Sequence, residues 1–318
     1  MEYRTAWLFP GQGSQFVGMG RDLCSGFPPA ARILDLASEL SGLPLARYCW
    51  QGPRELLDRT DVLQPAVTAI NLGCLALLRE SGVAPDVVAG HSLGEYSALC
   101  AAGVLQMEDA LRLVVERGRI MHVEARTHPG GMLAVQGLAA AQVDEIVLSL
   151  RERFTLSIAN YNAPEQTVLS GEEGGLSAAA VLAAARGGRT VRLQVSGAWH
   201  SPLMQGARER FAPAIDRVRF DAPTIPIYLS SAAGPQSDPA RLREAMRAQI
   251  AQPVRWLQLV QRMIDDGVNE FVEVGPGKVL RGLLRKIWSG TAPNRLVGVD
   301  GRRPPPRHVP AVAAGADR

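Results

Sequence analysis

The chain has 318 residues, 47% of them hydrophobic and 20% charged, which is enough apolar content to bury a full core as one large domain or two smaller ones. Its 34 basic and 31 acidic residues leave a formal charge of +3, too balanced to point to nucleic acid. There is no signal-peptide core, no apolar run of about 18 residues and no C-x-x-C pair among the four cysteines, so no membrane span, disulfide framework or zinc site is expected.

Residues 5–9 (TAWLF) read as a short buried strand, followed by a Gly-rich turn over Pro10–Gly13. Helical character follows around 28–41 and again over 65–80. Asp86–Gly90 is another apolar strand, and 94–102 reads as the helix after it. The stretch 107–124 is the best helix in the chain, ended by Pro129-Gly130-Gly131. From 132 to about 195, the alternating segments MLAVQGL, TVLSG and TVRLQV are separated by Ala-rich helices near 139–152 and 175–186. That β-α-β-β-α-β rhythm predicts a small ferredoxin-like unit inserted in a larger α/β domain. Beyond it come helices at 239–250 and 254–266, the strand 269–274 and a last turn and helix from Gly275. The Pro/Arg/Ala-rich tail from Gly301 has little to bury and is expected to be flexible.

Gly90-His91-Ser92-Leu93-Gly94 fits G-x-S-x-G with a strand before it and a helix after it, the context of a nucleophile elbow. The tight turn lifts the serine hydroxyl out of the sheet and aims the helix N-terminus at it, where free N–H groups can hold an oxyanion. A serine nucleophile needs a base. Of His91, His122, His128, His200 and His308, the one best placed is His200, in a loop after a strand and a Ser-Gly turn. His91 should point away from the serine. On position alone, a structural role for His200 stays open. No acid between Ser92 and His200 stands in a strand-end loop, so a Ser–His pair oriented by a carbonyl is favoured over a full triad. Arg117 falls on the apolar side of helix 107–124 with Leu113, Val114 and Met121, where a guanidinium must meet a carboxylate. That carboxylate is either an internal Asp or Glu or a substrate group held bidentately.

Two Gly-rich turns fail the nucleotide motifs: Gly11–Phe16 lacks the last glycine of G-x-G-x-x-G, and Gly277-Lys278-Val279 lacks the P-loop Ser/Thr. Both follow strands, which would put them on one edge of a sheet. Lys278, Arg281 and Arg285 share a face of the last helix, read as a solvated face with an anionic partner as the alternative.

Together, FPGQGSQ (9–15), QPA (64–66), GHSLGEYSAL (90–99), ERGRIM (116–121), SGAWHSPLM (196–204), QPVRW (252–256) and FVEVGPGKVL (271–280) resemble the malonyl-CoA:acyl-carrier-protein transacylase family, including discrete, trans-acting acyltransferases of polyketide synthases. The resemblance spans roughly residues 5–290. It implies an α/β fold with a hydrolase-like core and parallel sheet (residues 1–128 and 196–300), a ferredoxin-like insert (129–195) and a tail (301–318). It further implies Ser92 as nucleophile, His200 as base and Gln249 as the residue whose main-chain carbonyl holds the histidine. The N–H groups of Gln12 and Leu93 would form the oxyanion hole, and Arg117 would bind the malonyl carboxylate. The expected substrates are an acyl-CoA and a phosphopantetheinylated acyl carrier protein, with no tightly bound cofactor, no metal, no nucleic acid and no membrane; the expected state is a cytoplasmic monomer. Trp199 stands where malonyl-using relatives usually have Phe, which makes it an acyl-pocket residue of interest.

Three rivals remain at this level. A proofreading hydrolase of the same fold is expected to lack Arg117; a carrier-to-carrier transferase of larger acyl groups is left open by Trp199; a scaffold with a dead site would have lost Ser92, His200 or the oxyanion turn.

Overall fold

Strand β1 (Thr5–Phe9) is buried along its whole length, because a parallel strand in the middle of a sheet has no solvent face. Its alternation sorts side chains between two cores. Trp7 and Phe9 join the larger one with Val88, Val272 and Val274, while Ala6 and Leu8 join the smaller with Val87, Ala89 and Phe271. In this computed structural model, which describes residues 4–288 and 295–300, β1 lies between β2 (Val87–Gly90) and β9 (Glu270–Val274), parallel to both.

A second sheet follows in the chain, from β3 (Gly131–Gln136), β4 (Leu156–Ala163), β5 (Gln166–Gly171) and β6 (Arg189–Arg192). Its order is β4-β5-β3-β6, antiparallel throughout. The first sheet is completed by β7 (Ile227–Leu229), β8 (Gly234–Gln236) and β10 (Arg295–Val299), giving the order β10-β9-β1-β2-β7-β8. Only β8 runs antiparallel to its neighbour. The class is therefore α/β with a mostly parallel main sheet.

In the second sheet, Leu133 and Val135 of β3 pack against helices Ala140–Leu150 and Glu173–Ala185, whereas Met132 and Ala134 face the main body. A short parallel bridge, Asn160 with Val254, ties β4 to the main body through Tyr161 N–H to Val254 O (2.9 Å) and Val254 N–H to Ala159 O (2.8 Å).

Some elements differ from expectation. Strand β4 was not among the predicted segments, since Asn160 and Asn162 break its apolar texture; both are largely buried, against the main body. The helix predicted over 65–80 begins at Thr60 and runs through Pro65 to Glu80, the burial of Val62, Leu63 and Gln64 outweighing one lost backbone bond. It is long and apolar enough to cross a membrane by composition, yet 83% of its most apolar window is buried inside the protein, packed on helices Pro28–Ser41 and Met107–Thr127. Helix Gln205–Asp216 and strand β10 were not predicted either. The tail from 301, with His308, lies outside the described residues.

Candidate active site

The loop after β1 and the turn after β2 meet at the C-terminal ends of adjacent parallel strands, and glycines let them touch. A Cβ on Gly94 would stand 1.9 Å from the carbonyl oxygen of Phe9, and one on Gly90 2.1 Å from the carbonyl carbon of Gly94. A Cβ on Gly11 would stand 2.5 Å from the carbonyl oxygen of His91. Between them Ser92 takes a left-handed backbone, φ 51°, the strained turn that raises its hydroxyl above helix Gly94–Ala101. The turn after β9 joins this edge as expected, Gly277 packing on Ser14.

Ser92 Oγ lies 2.8 Å from Nε2 of His200. On the far side of the ring, Nδ1 faces two carbonyl oxygens, of Gln249 at 3.0 Å and of Gln252 at 2.9 Å. Carbonyls only accept, so Nδ1 carries the proton and the Nε2 lone pair is left for the serine O–H. Burial, and then the charge of Arg117, push the His200 pKa down to about 3. The imidazole is therefore neutral, the form a general base requires.

The N–H groups of Gln12 and Leu93 have no acceptor among the described residues, and both residues line the cavity that opens over Ser92. The Gln12 turn is held from below. Ser14 donates to Gly11 O at 2.7 Å, and the Gln15 side chain accepts from Gly13 N–H at 2.8 Å while donating to Asp58 at 2.7 Å.

Arg117 is 2% exposed and has no carboxylate within ion-pair distance among the described residues. Its Nη1 donates to Gln64 Oε1 at 2.7 Å and its Nη2 to Gln249 Oε1 at 3.2 Å, with Ser92 Oγ at 3.4 Å. The guanidinium sits 5.8 Å from the centroid of the Tyr96 ring. Of the two partners the sequence left open, the internal one is thus not found. A buried cation held by neutral amides and turned toward the nucleophile offers its charge to an incoming anion.

The cavity measures about 330 Å³. Arg117, Met121, Met132, Val168, Trp199 and His200 line it, together with Leu280 and Leu283 of the last helix. Trp199 is 4% exposed, with its ring edge against Gly197.

Of the other described histidines, only His91 lines this cavity. His91 turns away from Ser92, bonds Asn162 Oδ1 at 2.9 Å and tilts over Trp256. His122 approaches Asp61 at 3.8 Å, and His128 pairs with Glu124 at 3.0 Å. The expected basic face of the last helix is smaller than predicted, because Arg281 folds back onto buried Glu273 at 3.1 Å, leaving Lys278 and Arg285 exposed.

Glu95 and Gln64 were not assigned roles from the sequence. Glu95 lies in helix Gly94–Ala101, whose every residue is buried; an acid in so apolar a run, with no polar face to share, is the signal that could have found it. Its pKa is raised by burial, against the hydrogen bonds from Ser230 and Gln249. The Gln252 carbonyl left no such signal, since any residue type supplies one.

The acyl transferase domain family matches residues 6–299. A malonyl CoA-acyl carrier protein transacylase of Bacillus subtilis is 38% identical over 286 residues, covering 89% of this chain and 90% of its own. The polyketide biosynthesis protein ThaF of Burkholderia thailandensis is 42% identical over 326 residues, 98% of this chain but 26% of its own. Among solved structures, the malonyl-transacylase in complex with a type II PKS acyl-carrier protein (PlMCAT:AntF) is 34% identical with a TM-score of 0.88, over 93% of this chain and 96% of that one.

Proposed function

The chain belongs to the acyl transferase domain family, and from that premise we propose that it moves a malonyl group from coenzyme A to the phosphopantetheine thiol of an acyl carrier protein through an acyl-Ser92 intermediate. The observation that carries the malonyl assignment is Arg117, a buried guanidinium with no carboxylate partner among the described residues, 3.4 Å from the serine hydroxyl. An uncarboxylated acyl group would leave that charge with no directly paired carboxylate, only the more distant charge of Glu95.

In the first half-reaction, His200 Nε2 takes the proton of Ser92 Oγ as the oxygen attacks the thioester carbonyl. The N–H groups of Gln12 and Leu93 receive the oxyanion, each worth about 3 kcal/mol in the transition state. Collapse breaks the C–S bond, and the coenzyme A thiolate leaves with the proton from His200. In the second half, the pantetheine thiol gives its proton to Nε2 and attacks the acyl ester, and collapse returns the proton to Ser92. The carbonyls of Gln249 and Gln252 keep the Nδ1 proton in place throughout, so only Nε2 gains and loses one. Arg117 grips the malonyl carboxylate and fixes the ester carbonyl toward the donors. Residues 129–195 are read as an inserted lobe over a core of 1–128 and 196–300, in a cytoplasmic monomer.

The test is intact-protein mass spectrometry of wild type and Ser92→Ala after incubation with malonyl-, methylmalonyl- and acetyl-CoA, each alone. A malonyl adduct on wild type only, discharged on adding a carrier protein, is the expected result. Free acid accumulating without an adduct would point to a hydrolase instead. The likeness to ThaF favours a polyketide carrier as the second reading of the acceptor; discharge rates onto fatty-acid and polyketide carriers distinguish the two.

A further inference from the structure

Glu95 stands three residues beyond Ser92, 1% exposed, and the acyl-transfer cycle makes no use of it. Its Oε1 accepts from the backbone N–H of Ser230 at 2.8 Å and from the Ser230 hydroxyl at 2.7 Å. Its Oε2 accepts from Nε2 of Gln249. That same Nε2 donates to the carbonyl of Ser92 at 2.9 Å, while the amide oxygen of Gln249 accepts from Arg117. One side-chain amide therefore joins a buried carboxylate to a buried guanidinium, and the main-chain carbonyl of the same residue holds His200.

An amide can face either way, and its neighbours decide which. Here two acceptors, Glu95 Oε2 and Ser92 O, claim the nitrogen, so the oxygen has to face Arg117. We infer that Glu95 is a positioning residue for acyl-group selection: by orienting the Gln249 amide it holds Arg117 beside Ser92 in the pose that takes a carboxylate. The inference rests on the reading of Arg117 as the malonyl clamp.

The near-isosteric change Glu95→Gln exposes the logic. The backbone N–H of Ser230 still needs an acceptor, so the new amide oxygen stays there and the new NH₂ turns toward Gln249. Donor then meets donor. If Gln249 flips to relieve this, its NH₂ points at the guanidinium and its oxygen at the Ser92 carbonyl, exchanging one mismatch for two. Glu95, Gln249, Arg117 and Ser230 are all buried, and water does not relieve the mismatch among them. Arg117 loses its seat, which penalises a carboxylated acyl group and spares one that never touches the guanidinium.

The experiment measures kcat/KM with malonyl-CoA and acetyl-CoA for wild type, Glu95→Gln, Gln249→Met and the double variant. Each value is normalised to the fraction of Ser92 that becomes acylated, so partial misfolding cancels. Gln249→Met keeps the carbonyl that holds His200 and removes only the amide. The malonyl-to-acetyl ratio is expected to fall about tenfold or more in each single variant, the loss of one charge-assisted hydrogen bond. The double variant is expected to be no worse than either single one, because both break the same chain of contacts. An unchanged ratio, or equal loss with both donors, overturns the role of Glu95 while wild type still loads malonyl. A wild type that does not load malonyl overturns the clamp reading itself, and the inference with it.

Discussion

Ser92 Oγ and His200 Nε2 are 2.8 Å apart, and both residues reach that contact from left-handed backbone, φ 51° and 59°. Neither is glycine, so each conformation costs on the order of 1–3 kcal/mol, which the packed surroundings must override. At position 92 that cost is separable from the chemistry. Ser92→Gly and Ser92→Ala both remove the nucleophile and both should give no acyl adduct. Only glycine accepts φ 51° freely, so Ser92→Gly should be the more stable by about 1 kcal/mol, roughly 1–2 °C in melting temperature for a chain of this size. Differential scanning fluorimetry of the two variants decides it; equal melting points would mean the turn relaxes in the alanine variant.

The low pKa of His200 sets the pH behaviour. Burial is the larger cause and the Arg117 charge the second, and together they bring it to about 3 from the ordinary ~6.5. The base is then neutral through the physiological range, and the rate of Ser92 acylation should be flat from about pH 5 to 8, with no limb near 6.5. Stability follows the same sign. The unfolded chain binds a proton at this histidine below about 6.5 and the folded one does not, so the contribution is complete above that value and is lost as pH falls toward 3. Stopped-flow acylation across pH checks the first statement; an acid limb at 6–7 would show that the ring is accessible to protons in the working enzyme.

Replacing Arg117 by Ala should separate two effects. Malonyl transfer should fall by at least about a hundredfold, the scale of losing a buried charge-assisted bond to the substrate. Acetyl transfer should persist or rise, because the acetyl group makes no call on the guanidinium. One of the causes depressing His200, the second largest after burial, is also gone, so any acid limb of acetyl transfer should move to higher pH. Parallel pH–rate profiles with both donors test this, and equal loss with both would sink the clamp.

How much of this was legible in the sequence differed by level. The elbow could be read because its chemistry is local: glycines at 90 and 94 fit a turn in which a Cβ at either would strike backbone about 2 Å away. Arg117 could be placed on the buried face by helical spacing, but its partners could not, because Gln64 and Gln249 are 53 and 132 residues distant. Strand β4 was obscured by Asn160 and Asn162, polar residues placed by their contacts with Val254 and His91 and not by the pleat of their own strand. The Glu95 network was hidden for a related reason. Its closing member, Ser230, lies 135 residues away at the end of a three-residue strand.

Gly11 carries a prediction about the oxyanion turn. A Cβ there would lie 2.5 Å from His91 O and 3.2 Å from the Leu93 side chain, so Gly11→Ala must push the Gln12 turn away from the elbow. The two donors would then no longer converge on one oxygen. The acylation rate constant should fall about 10²-fold, the measured scale for one lost oxyanion donor, while KM for malonyl-CoA changes little because the donors act on charge that develops only in the transition state. Single-turnover acylation against donor concentration gives both quantities; a rise in KM with the rate constant intact would relocate Gly11 to substrate binding.

Trp199 offers the opposite kind of change, one of volume. Its ring lines the cavity beside His200, and its buried indole nitrogen has no hydrogen-bond partner among the described residues, so phenylalanine loses no polar contact with them. Trp199→Phe should open room for an α-methyl group and raise methylmalonyl relative to malonyl transfer, by about tenfold if one methyl group's worth of clash, 1–3 kcal/mol, is relieved. Gly197→Ala should act in reverse. Its new Cβ would lie 2.6 Å from two ring atoms of Trp199, and Ala125 at 2.7 Å closes the other side. The indole has to yield toward the cleft, so the larger acyl group should be excluded more strongly than in wild type. Competition between the two acyl-CoAs for Ser92, read by intact mass, measures the ratio for both variants. Opposite shifts would establish Trp199 as the wall of the acyl pocket; shifts of the same sign, or none, would place the selecting surface elsewhere in the cavity.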